Sequence, residues 1–208
     1  AFDSALKGIS ILKQSGVEFQ INTTVTRHNR NSVGRILDLA VDLGAAAHHI
    51  FLLVPTGRAK DMVNQEIDAE EYESLLHWFY DMRDKAPLHL KATCAPHYYR
   101  ILRQKAHEKG EKVNFENYGL DAVTRGCLGG TSFCFISHEG IMQPCGYLEL
   151  NCGDLKKNTF DKIWSDSEIF NNLRDFNGYK GKCGICEYRR FCGGCRARAF
   201  AACGDFLA

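Results

Sequence analysis

The sequence predicts an α/β chain in two parts: strands and helices that alternate over residues 1–108 as a partial (β/α) barrel, followed by a small cysteine-rich domain over residues 109–208. Three observations predict it. Apolar residues repeat with period two and period 3.6 in turn through the first hundred residues, the signature of βαβ units. One face of the first strand carries Gln20, Asn22 and Thr24, side chains that suit the inner wall of a barrel better than a flat sheet covered on both faces. Nine of the ten cysteines lie between Cys127 and Cys203.

The elements follow in order. Leu6, Ile9 and Leu12 form a helical stripe that ends near Gly16, and Val17, Phe19 and Ile21 then alternate with polar residues as a strand. Ser32 is placed to cap a helix bearing Val33, Ile36, Leu37 and Ala40, with Gly44 just past its end. HHIFLLV is the second strand. Asp68 and Glu71 have capping-box spacing ahead of Tyr72, Leu75, Leu76 and Phe79. LHLKAT is the third strand and PHYYRILRQKA the helix after it. Beyond Lys109 the elements shorten: SFCFIS and IMQPC flank HEG as a hairpin, and a short helix runs from about Phe160 to Phe170.

Composition excludes several classes of function. Hydrophobic residues at 45% and charged residues at 25% describe a globular chain, and a net charge of +1 offers no global field to draw it onto nucleic acid or an anionic membrane. No apolar run approaches the roughly 18 to 20 residues that span a bilayer. AFDSALKGIS lacks the charged start and apolar core of a signal peptide, so the reading is cytoplasmic. The chain begins without Met on an amphipathic pattern and is expected to be a piece of a longer protein.

The cysteines carry the chemistry. The tail reads Cys183-x2-Cys186-x5-Cys192-x2-Cys195 and then Cys203, preceded by Cys127, Cys134, Cys145 and Cys152. Thiolate sulfur is a soft anionic donor suited to zinc or to an iron–sulfur cubane, and spacing alone leaves the two open, with plain buried thiols as the bland alternative. Gly193 and Gly194 free the backbone to bend around a centre, or simply make a tight turn.

The order Cys127, twelve residues, Gly140, four residues, Cys145, ahead of the paired CxxC elements, resembles the SPASM domain of radical S-adenosylmethionine enzymes. The strings TRGCLGGTSFCFISHEG, QPCGYLELNCGDL, CGGCRARAFA, KATCAPHYYRI and INTTVTRHN resemble the tetrapyrrole-modifying branch of that superfamily, which serves the alternative heme and heme d1 routes. FISHEG and PCGYLE resemble most closely the members that make heme b. The resemblance spans essentially the whole chain. It implies a radical S-adenosylmethionine barrel with an auxiliary iron–sulfur domain, one or two auxiliary [4Fe–4S] clusters, S-adenosylmethionine as cofactor and an external electron donor or acceptor. The implied reaction is the oxidative decarboxylation of iron-coproporphyrin III propionates to vinyls. Related branches imply alternatives: removal of acetate from siroheme derivatives, propionate modification toward heme d1, or modification of a peptide. A non-catalytic zinc or iron–sulfur module is the alternative outside the enzymes.

The resemblance also assigns residues. Cys183, Cys186 and Cys192 correspond to ligands of a distal auxiliary cluster, and Cys127, Cys145 and Cys195, together with Cys134, to those of a proximal one. Cys203 is a substitute ligand or a bystander. Asn22, Thr24, Thr56 and Gly57 correspond to positions that cradle S-adenosylmethionine. Arg58, His97, Tyr98 and Arg100 follow strand ends where a macrocycle bearing propionates could be held and stacked. Two departures stand out. The chain contains no CxxxCxxC, the loop that holds the radical-generating cluster, so it is expected not to cleave S-adenosylmethionine alone. It also stops at Ala208, short of a further cysteine found in such relatives.

Overall fold

The computed structural model describes residues 2–208, which divide into two compact units. The first comprises residues 2–53 and 65–95. It holds α1 (Phe2–Gln14), β1 (Gln20–Val25), α2 (Val33–Asp42), β2 (Ala47–Leu52), α3 (Ala69–Met82) and β3 (His89–Thr93). The three strands are parallel in the order β1-β2-β3, the sequential neighbour order of a (β/α) barrel. Asn22 pairs with His49, and His49 with Lys91. Thr23 and Val25, His48, Ile50 and Leu52, and Leu90 and Ala92 are the buried positions of the strands. Gln20, Asn22 and Thr24 alternate with them on the exposed face, as the polar pattern requires.

The helix signals hold in detail. Gly44, at φ 74°, donates to the carbonyl of Val41 while Ala45 donates to that of Ala40, a closure that only a left-handed residue allows without strain. Asp68 accepts from the Glu71 amide at 2.8 Å, and the Glu71 carboxylate accepts in return, completing the capping box. Ser32 stands at the N-cap of α2 without a capping bond, its hydroxyl accepting from Arg35 instead. The stripe on α1 contributes no buried residue.

The second unit comprises residues 54–64 and 96–208. It includes α4 (His97–Glu108), which the sequence places with the strands in residues 1–108. The physical reason is local packing: Arg103 lies over the ring of Phe191 at 4.0 Å, and Pro96 packs so tightly on Gly126 that a Cβ there would approach it to 2.5 Å. Two single-turn helices follow, α5 (Phe115–Tyr118) and α6 (Leu120–Val123). The hairpin pairs β4 (Phe135–Ile136) with β5 (Ile141–Gln143), turning at Gly140 with φ 84°, and β6 (Gly153–Asp154) adds to the other edge of β5. The helix expected over 160–170 is two, α7 (Phe160–Asp166) and α8 (Glu168–Arg174), separated where Ser167 turns extended. Met142, Ile163 and Phe170 form a small core beneath them, with Cys134, Cys152, Leu155 and Trp164 against it. The tail contains α9 (Gly181–Gly184), a 3-10 turn at Glu187–Arg190 and α10 (Arg196–Cys203).

Candidate metal centres

Two stretches far apart in sequence are pinned together by backbone bonds. Gly126 donates to the carbonyl of Phe191 at 2.8 Å, and Cys127 to that of Cys192 at 3.0 Å. The close approach requires glycine at 126, because a Cβ would fall 2.5 Å from the Cys192 carbonyl oxygen. Cys127 is thereby brought from the start of the cysteine region to its end.

The thiols fall into two groups. Cys145 is within electrostatic reach of Cys127 and Cys195, and burial first, then these neighbours, push its thiol up to about 11. Cys192 is within reach of Cys183 and Cys186, and burial likewise pushes it up to about 11. Burial raises Cys195 as well. All ten cysteines are free thiols. Among the described residues no three His, Cys, Asp or Glu side chains converge on a single-ion position.

Gly193 and Gly194, both at positive φ, form the bend between Cys192 and Cys195. The Gly194 amide points at the Cys192 sulfur, 3.4 Å away, an N–H···S contact that offsets part of the burial effect. Arginines line the same bend. A Cβ on Gly193 would meet Arg125 Nη2, and one on Gly194 would meet Arg196 Nη2 and the Cys183 sulfur. Arg125 stacks on Phe176 at 4.2 Å and Arg196 on Tyr179 at 4.7 Å. Sequence reasoning passed over both arginines, although each stands within two residues of a cysteine of the motif.

The donor set fits the cofactor that such sulfurs take. Two groups of three thiols, with Cys192 raised in one and Cys145 and Cys195 in the other by burial and by neighbouring thiols, offer soft donors that become thiolates on binding iron and release their protons. Cys134 is placed elsewhere: it shares the small core with Cys152, and the two thiols sense each other. Cys134, just ahead of β4, thus packs against Met142, Ile163 and Phe170. Cys203 is exposed at the end of α10, with its thiol donating to the Ala199 carbonyl at 3.2 Å.

The remaining predicted residues lie on both units. Asn22 and Thr24 are exposed on β1, with Asn22 accepting from Gln20. Thr56, Gly57 and Arg58 enter the 3-10 segment of the second unit, where Gly57 has φ 56° beside Glu149 and Arg58 is exposed. His97 is half-buried at the start of α4. Tyr98 is only 3% exposed and packs edge-on to Tyr99. Arg100 is half-buried, donates to Gln104 at 2.7 Å, and its charge reaches Cys192.

Comparison with known proteins shows what the chain is similar to. Residues 127–196 match the SPASM family, an iron–sulfur cluster-binding domain. The fold is shared with SuiB of Streptococcus suis, solved with its precursor peptide SuiA, at a TM-score of 0.66 and 16% identity over 99% of this chain and 46% of that one. The chain thus has the α/β fold of radical S-adenosylmethionine enzymes with SPASM domains, a class whose cofactors are [4Fe–4S] clusters and S-adenosylmethionine. More particularly, it is similar to proteins named AdoMet-dependent heme synthase. That of Nitratidesulfovibrio vulgaris (strain Hildenborough) is 58% identical over all of this chain and 57% of its own length. That of Methanosarcina barkeri (strain Fusaro) is 49% identical over all of this chain and 59% of its own. The chain spans somewhat more than half the length of the curated relatives it matches. No helix among the described residues is long and apolar enough to cross a membrane.

Proposed function

We propose that this chain supplies the substrate wall and the auxiliary iron–sulfur centres of a cytoplasmic radical S-adenosylmethionine enzyme that converts two propionates of iron-coproporphyrin III to vinyls, giving heme b. Similarity over the whole of this chain to proteins named AdoMet-dependent heme synthase, at 58% and 49% identity, is the observation that carries this reading. For each side chain the propionate loses one hydrogen atom from its β-carbon, carbon dioxide and one electron, and the remaining carbons become a vinyl group. When bound, S-adenosylmethionine and the [4Fe–4S] clusters supply hydrogen-atom abstraction and one-electron transfer. Cys183, Cys186 and Cys192 hold one auxiliary cluster in this reading, and Cys127, Cys145 and Cys195 hold a second. Asn22, Thr24, Thr56 and Gly57 contact the S-adenosylmethionine.

Arg58 is exposed and has no acidic partner among the described residues, so its guanidinium is available to a propionate. Arg100 adds a second cation to this wall, and His97 stands beside it at the start of α4. A carboxylate on an Arg fork gains charge-assisted hydrogen bonds, which position the side chain whose β-hydrogen is removed. Electrons leave to an external acceptor.

The test is turnover of iron-coproporphyrin III by the complete gene product, reconstituted anaerobically with iron and sulfide and supplied with S-adenosylmethionine and a reductant. The expected product is lighter by the mass of two formic acid equivalents per macrocycle. Formation of 5′-deoxyadenosine with the porphyrin unaltered rejects the assignment and favours a peptide substrate.

A further inference from the structure

We propose that Arg196 is a tuning residue for the cluster assigned to Cys183, Cys186 and Cys192, holding a positive charge against the sulfur of Cys183 so that the cluster takes up an electron more readily. Arg196 is the first residue of α10 and only 3% exposed. Its Nη2 lies 2.9 Å from the Cys183 sulfur, while Nη1 donates to the carbonyls of Ala208 at 2.9 Å and Phe206 at 3.2 Å. The guanidinium also lies over Tyr179, and its Nε is buried without a partner. The head group is therefore held in place by four contacts.

A buried cation calls for an anion. Among the described residues Arg196 forms no ion pair, and Asp205, the carboxylate that senses its charge, is already bonded to Lys180 at 2.8 Å. The carbonyl of Phe206 brings partial charge only. Cys183, whose sulfur touches the guanidinium, becomes fully anionic when it binds iron. The contact also depends on Gly194: a Cβ there would stand 2.1 Å from Arg196 Nη2 and 2.8 Å from the Cys183 sulfur. The left-handed φ of 58° already favours glycine, and the lack of a side chain leaves the space that the guanidinium and the sulfur share.

The consequence is electrostatic. Reduction adds one negative charge to a cluster and spreads it over the sulfurs. A fixed cation in a dry site stabilises the reduced form over the oxidised one, and an N–H···S bond draws density in the same direction. An exposed lysine nearby is screened by water and has little effect.

The experiment is a redox titration of the anaerobically reconstituted complete gene product, followed by the electron paramagnetic resonance signal of each reduced cluster, with iron content measured in parallel. Arg196→Gln is expected to keep its iron and to shift the midpoint of one cluster to more negative potential. Arg196→Lys should stay close to the unchanged protein. Lys182→Gln, which removes an exposed charge beside Cys183 in sequence, should leave the midpoint where it is. A midpoint in Arg196→Gln equal to that in Lys182→Gln overturns the proposal. Loss of iron from both Arg196 variants overturns it too, because the guanidinium would then act as a structural latch on the carbonyls. Should only the Gln variant lose iron, the Lys variant decides: an unchanged midpoint supports the role of charge and a displaced one rejects it. The proposal rests on Cys183 being a ligand, and that assignment fails separately if Cys183→Ala retains all its iron.

Discussion

The ring of His48 bonds the hydroxyl of Thr23 through Nε2 at 3.0 Å across the β1–β2 pair, while its Nδ1 is buried with no partner. His48 is fully buried, and burial first, then the neighbouring His49, lowers its pKa below the ordinary 6.5. The folded chain therefore resists protonating it, whereas the unfolded chain protonates as pH falls through about 6.5. Stability from neutral His48 is complete above that pH and is lost progressively as pH falls toward the lowered folded value. Urea midpoints are expected to fall between pH 7.5 and 5.5, and His48→Gln should flatten that slope. Identical slopes in the two proteins would show that His48 does not govern it.

Removing a ligand should remove a cluster. Cys183→Ala, Cys186→Ala and Cys192→Ala are each expected to lose one cluster's worth of iron after reconstitution, as are Cys127→Ala, Cys145→Ala and Cys195→Ala for the other. Cys94→Ala and Cys203→Ala should retain all of it, because Cys203 spends its thiol on a helix carbonyl at the surface. Iron analysis of the eight variants checks the assignment.

Gly194→Ala should be costly out of proportion to its size. The left-handed backbone costs a residue with a Cβ about 1–2 kcal/mol, and the new methyl meets Arg196 and Cys183 at sub-van der Waals distance. The expected outcome is a lower Tm together with loss of iron from the Cys183 group. An unchanged iron content would mean that the bend tolerates rearrangement.

Arg58→Ala is expected to weaken binding of iron-coproporphyrin III by roughly ten- to a hundredfold, the equivalent of one charge-assisted carboxylate contact. Arg100→Ala should weaken it less, since Arg100 already donates to Gln104. Spectral titration of both variants with the porphyrin measures this, and equal affinity in Arg58→Ala and the unchanged protein would remove Arg58 from the substrate wall.

The capping box offers a check on the fold alone. Asp68→Ala should cost about 1 kcal/mol, because the Glu71 amide loses its acceptor at an exposed helix start. Denaturant titration reads it directly, with iron content unaffected.

The strands with their alternating faces, the Asp68 cap, the Gly44 closure and the Gly140 turn were all legible in sequence. Each arises from the chemistry of residues a few positions apart, where periodicity and φ preference act without help from the rest of the chain. The cysteine set was legible because thiolate chemistry needs particular residue types at short spacing. What only the tertiary structure decided is which sulfurs meet. Cys127 is drawn to the tail motif because Gly126 lets the backbone of 126–127 lie against that of 191–192, a pairing across more than sixty residues that no local pattern encodes. Cys134 joins Cys152 because the β4–β5–β6 sheet carries both to the core of Met142, Ile163 and Phe170. The siding of α4 with the second unit and the burial of Tyr98 and Arg196 have the same origin. Burial depends on which surfaces close over one another, and sequence spacing records only the surfaces that are available to close.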